Sequence, residues 1–124
     1  MQITLKEYSF DVPERLKDLI SVRRKARYTD VVLSWEEGSG YSGLLVRLKC
    51  LKRRISELDD FTEYLGTLID EEGRKLHLYA AYGQEGCVSE ENEDLYWRVR
   101  DQLYMIFDSI TPSEGYSWQP VGES

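Results

Sequence analysis

Two alternating apolar runs, Val31-x-Leu33-x-Trp35 and Leu44-x-Val46-x-Leu48-x-Cys50, stand on either side of Gly38-Ser39-Gly40. A period of two puts every second side chain on one face of a strand, and a glycine-rich break between two such runs is hairpin chemistry. Arg47 and Lys49 fall on the opposite face of the second run. The hairpin therefore has one apolar side, which needs a layer to cover it.

The remaining segments supply that layer in a regular order. Ile3 and Leu5 predict a half-buried first strand. Asp11-Val-Pro-Glu14 reads as a helix start, with Asp11 as cap, Pro13 tolerated in the first turn and Glu14 facing the positive end of the macrodipole. Val12, Leu16, Leu19 and Ile20 then share a face at helical spacing, and the helix closes in the basic residues 23–27. After the hairpin, Ser56-Glu-Leu-Asp59 looks like a capping box, Leu58, Phe61, Leu65, Leu68 and Ile69 mark a second amphipathic helix, and Gly73 is its stop. Leu76, Leu78, Ala80 and Tyr82 predict a fourth strand, and Ser89 opens a third helix that ends before Pro112. The fold expected is α+β: a ferredoxin-like βαββαβ antiparallel sheet with an added C-terminal helix. Residues 1–112 form a single α+β domain, and residues 113–124 form a C-terminal tail packed in part by Tyr116 and Trp118.

A chain of 124 residues with 41% apolar and 31% charged side chains suits one folded domain rather than a disordered segment. No apolar run approaches the roughly 20 residues of a membrane span. The start, MQITLKEYSF, lacks the basic-then-apolar pattern of a signal peptide, so a cytoplasmic location is expected. Cys50 and Cys87 lie in no paired spacing and are read as reduced thiols. His77 is the one histidine, placed in a strand with no nucleophile motif beside it and no ligand spacing to either cysteine. Neither an enzyme, a metal site nor a cofactor is expected. Gly83-Gln-Glu-Gly86 has the spacing of a backbone-clamping glycine loop, but it holds an acid, no cation, and follows a strand.

Charge divides the chain. Residues 1–54 hold twelve Lys/Arg against seven Asp/Glu, and residues 55–124 hold four against sixteen, which hides behind a net charge of −7. Arg23, Arg24, Lys25 and Arg27 form one basic cluster; Lys49, Lys52, Arg53 and Arg54 form another. Through Arg23, Arg24, Arg27, Arg53 and Arg54 they would bind an anionic ligand, RNA or a nucleotide. In the ferredoxin-like topology the two clusters need not share an edge, and no aromatic RNP motif accompanies them.

The last helix carries the most functional signal. At 100° per residue, Leu95, Val99, Leu103, Ile106 and Ile110 make an apolar face, while Asp94, Asp101 and Asp108 recur every seven residues on the other side. Trp97, Tyr104 and Met105 stand outside the apolar arc. Bulky rings rimmed by charge are what protein interfaces use as anchors. Asp59 and Glu63, on the exposed side of the second predicted helix, extend the acidic surface. Carboxylates at helical spacing imitate nucleic-acid phosphates. The reading is a non-enzymatic inhibitor of toxin-immunity or phage anti-defence type, blocking a basic partner such as a nuclease or another nucleic-acid enzyme. The alternatives are cover of Trp97 and Tyr104 by Tyr116 and Trp118 of the tail, anion binding by the basic half, and homo-oligomers held by the opposite charges.

Overall fold

A computed structural model describes residues 1–34, 42–83 and 93–122. Trp35, the Gly38-Ser39-Gly40 turn, Gly86, Cys87 and the expected helix start at Ser89 lie outside the described residues. So does any approach of Cys87 to Cys50.

The described residues are mostly β, 49% strand and 17% helix, in two antiparallel sheets with C-terminal helical structure. The expected ferredoxin-like βαββαβ arrangement is overturned. A three-stranded sheet runs in the order β1 (Gln2–Thr4), β2 (Tyr8–Asp11), β8 (Thr111–Pro112). The six-stranded sheet is β3 (Ile20–Arg24), β4 (Tyr28–Ser34), β5 (Ser42–Leu51), β7 (Lys75–Tyr82), β6 (Thr62–Asp70), β9 (Tyr116–Pro120). Two short helices, α1 (Glu93–Asp101) and α2 (Leu103–Asp108), are separated at Gln102. The core joins all three layers: Tyr8, Phe10 and Val12 from the first sheet and its exit, Val31, Leu48, Leu78 and Ala80 from the second, and Tyr96, Val99, Leu103 and Ile106 from the helices. Among the described residues no helix is long and apolar enough to cross a membrane.

The expected strands at residues 31–35, 44–50 and 76–82 correspond to β4, β5 and β7, and β4 pairs with β5 as an antiparallel hairpin requires. The first predicted helix is instead a single 3-10 turn, Glu14–Leu16, followed by β3. Val12, Leu16 and Ile20 do enter the core. They arrive by a turn and a strand, because Ile20 and Val22 alternate with Ser21 and Arg23 and their branched side chains favour extended backbone.

The second predicted helix is also a strand. The Asp59 side chain accepts the Phe61 N–H at 2.9 Å, turning the chain into β6 rather than capping a helix. Thr62, Tyr64, Thr67 and Ile69 are strand formers, and Gly66 weakens any helix through them. A Cβ on Gly66 would lie 2.5 Å from the Trp118 ring and 2.6 Å from the Gln119 carbonyl oxygen, so glycine lets β9 pack against β6. Leu58 and Phe61, assigned to the buried face of that helix, are 43% and 47% exposed. Gly73, at φ 83°, closes the β6–β7 hairpin instead of stopping a helix. The tail supplies an edge strand, β9.

One buried titratable group reports on this sheet. The Tyr64 hydroxyl meets His77 Nδ1 at 3.0 Å and also contacts the Thr67 hydroxyl. Burial lowers the His77 pKa below its ordinary 6.5, and Arg54 and Lys75 push it the same way. On acidification the unfolded chain takes up this proton first. Stability should therefore fall as pH drops from about 6.5 through the lower folded value, and recover as pH rises across that window. Urea midpoints through this interval should show the slope in the parent chain and a shallower one in His77→Gln. Equal slopes would refute the assignment.

Candidate functional site

The clefts that gather the sequence-flagged residues are built where the helices cross the start of β6. Acids in the first turn of α1 (Glu93, Asp94) and bases in its last (Arg98, Arg100) suit the helix dipole. Tyr96, Val99, Leu103, Ile106 and Phe107 hold the helices on the sheet. This seating turns Trp97, Asp101, Tyr104 and Asp108 toward Glu63 on β6.

Two adjoining clefts result, divided by Glu63 and Tyr104, whose hydroxyl lies 3.4 Å from Glu63 Oε2. The same carboxylate oxygen accepts the Tyr82 hydroxyl at 2.6 Å. Burial raises the Tyr82 phenol well above its ordinary pKa, and the hydrogen bond to Glu63 adds to this, so it donates across all ordinary pH. The first cleft, about 600 Å³, is walled by Asp60, Glu63, Tyr82, Trp97, Asp101 and Tyr104. The Arg100 guanidinium also lines it, 4.9 Å from the Tyr82 ring centre and 4.8 Å from that of Trp97. The second cleft, about 490 Å³, lies between α2 and β9, with Tyr104, Phe107, Asp108 and Trp118 facing Glu63.

Five of the eight residues singled out for partner binding line these clefts: Trp97, Asp101, Tyr104, Asp108 and Glu63. The other three do not. Asp94 is exposed one turn before the cleft begins, and Arg98 donates to its backbone oxygen at 3.4 Å instead of pairing with its carboxylate. Met105 points away, its sulfur 2.9 Å from Arg15 Nη2. Asp59 is spent on its turn. Because Asp59 and Glu63 sit on a loop and a strand, the acidic surface is not the joined outer faces of two helices. The expected cover by the tail is partial: Trp118 walls the second cleft beside Tyr104, which remains 56% exposed.

Sequence reasoning missed Tyr82, Arg100 and Trp118 as cleft residues. Arg100 follows Trp97 by three positions on one helix, a spacing that alone puts the two side by side. Nothing local to Trp118 or Tyr82 places either beside Glu63.

The arginines of the anion-binding reading lie elsewhere. Arg23 and Arg24 end the edge strand β3, Arg27 sits in the turn before β4, and Arg53 and Arg54 follow β5; all five are exposed. The Tyr28–Lys49 register brings both clusters to one end of the sheet, correcting the separation that the expected topology allowed. Arg54 lies 4.9 Å over the Tyr64 ring. Cys50 is half-buried, and burial pushes its thiol up to about 12. Among the described residues no three His, Cys, Asp or Glu side chains gather as metal ligands would. Compared with protein-family models, with curated proteins and with solved structures, the chain matches none.

Proposed function

We propose that the chain is a non-enzymatic, acidic binding protein of the cytoplasm. It docks through the double cleft onto a basic surface of a nuclease or another nucleic-acid-handling enzyme, as an inhibitor of toxin-immunity or anti-defence type. One observation carries the reading: Asp60, Glu63, Asp101 and Asp108 converge on two clefts walled by Trp97, Tyr104 and Trp118. The one cation lining these clefts among the described residues, Arg100, already lies over two rings. Carboxylates around partly exposed aromatics suit a partner rich in Arg and Lys, attracting it at long range and anchoring it at short range once the rings are covered. The exposed Leu58 and Phe61 lie on the segment leading to β6 and add apolar contact beside the acids.

The test is a quadruple variant, Asp60→Asn, Glu63→Gln, Asp101→Asn and Asp108→Asn, checked for folding by circular dichroism. Immobilised parent chain should capture a basic protein from the cell that makes it, with an on-rate that falls steeply as salt rises. In the variant the affinity for that protein should drop about 100-fold, and most of the salt dependence should go with it. Asp59→Asn with Asp94→Asn, outside the clefts, should change affinity by less than about threefold. Unaltered affinity and on-rate in the quadruple variant would sink the proposal.

A further inference from the structure

The two clefts share a chemistry and differ in one respect. Each joins the Glu63 carboxylate to a second acid and to aromatic rings. In the first, the chain's own Arg100 guanidinium lies over Tyr82 and Trp97, with Asp101 and Asp60 in the same walls. In the second, Glu63 and Asp108 stand with Tyr104, Phe107 and Trp118, and among the described residues no Lys, Arg or His lines the space. A planar cation over an aromatic face is attracted by the ring quadrupole, and a nearby carboxylate adds charge and hydrogen-bond acceptors.

We propose that the second cleft is a receptor for one arginine side chain of the docking partner, resting on the docking reading above. The first cleft is its internal precedent, since there the chain's own Arg100 guanidinium lies over the Tyr82 and Trp97 rings in a space that Glu63 also lines. The guanidinium would lie against the Tyr104 and Trp118 rings and donate toward Glu63 and Asp108. Its aliphatic stem would rest on Leu65, Ile110 and Val121, which complete the apolar wall. The volume, about 490 Å³, falls within the range of small-ligand sites and leaves room for one long side chain with water. Arginine is favoured over lysine because a flat guanidinium stacks on a ring and forks onto a carboxylate, whereas an ammonium is a strongly hydrated point charge.

The probe is N-acetyl-arginine amide, titrated into the full chain while amide and indole N–H signals are followed by NMR. Saturable shifts are expected at the Trp118 indole and at Tyr104, with affinity in the millimolar range. N-acetyl-citrulline amide, the neutral isostere, should bind at least about tenfold more weakly, and N-acetyl-lysine amide more weakly than arginine. Trp118→Leu and Asp108→Asn should each weaken the arginine probe, whereas Asp94→Asn, outside both clefts, should leave it unchanged. Equal response to citrulline, tighter binding of lysine, or shifts confined to the Trp97 indole would overturn the assignment. The docking reading fails separately. If the arginine probe does not bind while capture of the macromolecular partner still depends on the four carboxylates, docking stands and the arginine seat falls. If the probe binds and capture ignores the carboxylates, the seat stands and docking falls.

Discussion

Gly83→Ala is expected to cost about 3 kcal/mol or more, enough to unfold much of a marginally stable domain. Gly83 follows β7, its N–H donating to the Leu45 carbonyl at 2.9 Å. A Cβ there would sit 1.7 Å from the Leu44 carbonyl oxygen and 2.7 Å from its carbon. Both are backbone atoms of β5, so no rotamer change relieves the overlap, and the β5–β7 pairing must open locally. Urea denaturation should show a sharply lowered midpoint, or no folded baseline at all. A midpoint within experimental error of the parent would show that this backbone contact is not as close as described.

Tyr96→Ala is expected to cost about 3–5 kcal/mol, the usual loss for a large aromatic cut from a packed core. The ring is fully buried, and its hydroxyl donates to the Gly83 carbonyl at 2.8 Å, tying α1 to the end of β7. Tyr96→Phe separates packing from hydrogen bonding. It keeps the ring and should cost about 1–3 kcal/mol by leaving a buried carbonyl unpaired. The seat of α1 also sets Trp97, whose ring meets that of Tyr96 edge-on at 5.6 Å. Trp97 emission should shift toward that of exposed indole in Tyr96→Ala and stay near the parent in Tyr96→Phe. Since Gly83 and Tyr96 share one hydrogen bond, their substitutions should not add.

Both expectations rest on contacts between segments distant in the chain, and the docking cleft depends on the same kind of contact. Tyr104 reaches Glu63 across 41 positions. The seven-residue spacing of Asp94, Asp101 and Asp108 was visible beforehand, as were the rings beside it, because a helix sets their relation locally. The division of labour among them was not. Asp101 and Asp108 line the clefts and Asp94 does not, because the sheet, not the helix, fixes where the clefts begin.

Local sequence determined the β4–β5 pair, the strand β7, the helical stretch after residue 92, the separation of charge, and much of which apolar side chains go inward. Of the apolar face Val12, Leu16, Leu19 and Ile20, three side chains enter the core, Val12, Leu16 and Ile20 at 0%, 4% and 4% exposed, while Leu19 packs half-buried against it. What carries them inward was left to the tertiary structure. Steps of four residues satisfy a helix of period 3.6, yet here the three side chains come from just after β2, from the 3-10 turn and from the first residue of β3. A helix makes its hydrogen bonds within itself, so its merits can be judged from nearby residues. A strand borrows them from neighbours: β6 takes one set from β7 across a short turn and the other from β9, where Gly66 faces Pro120. Only the assembled sheet could turn residues 62–70 into a strand, and only that strand brings Glu63 beneath the last helix.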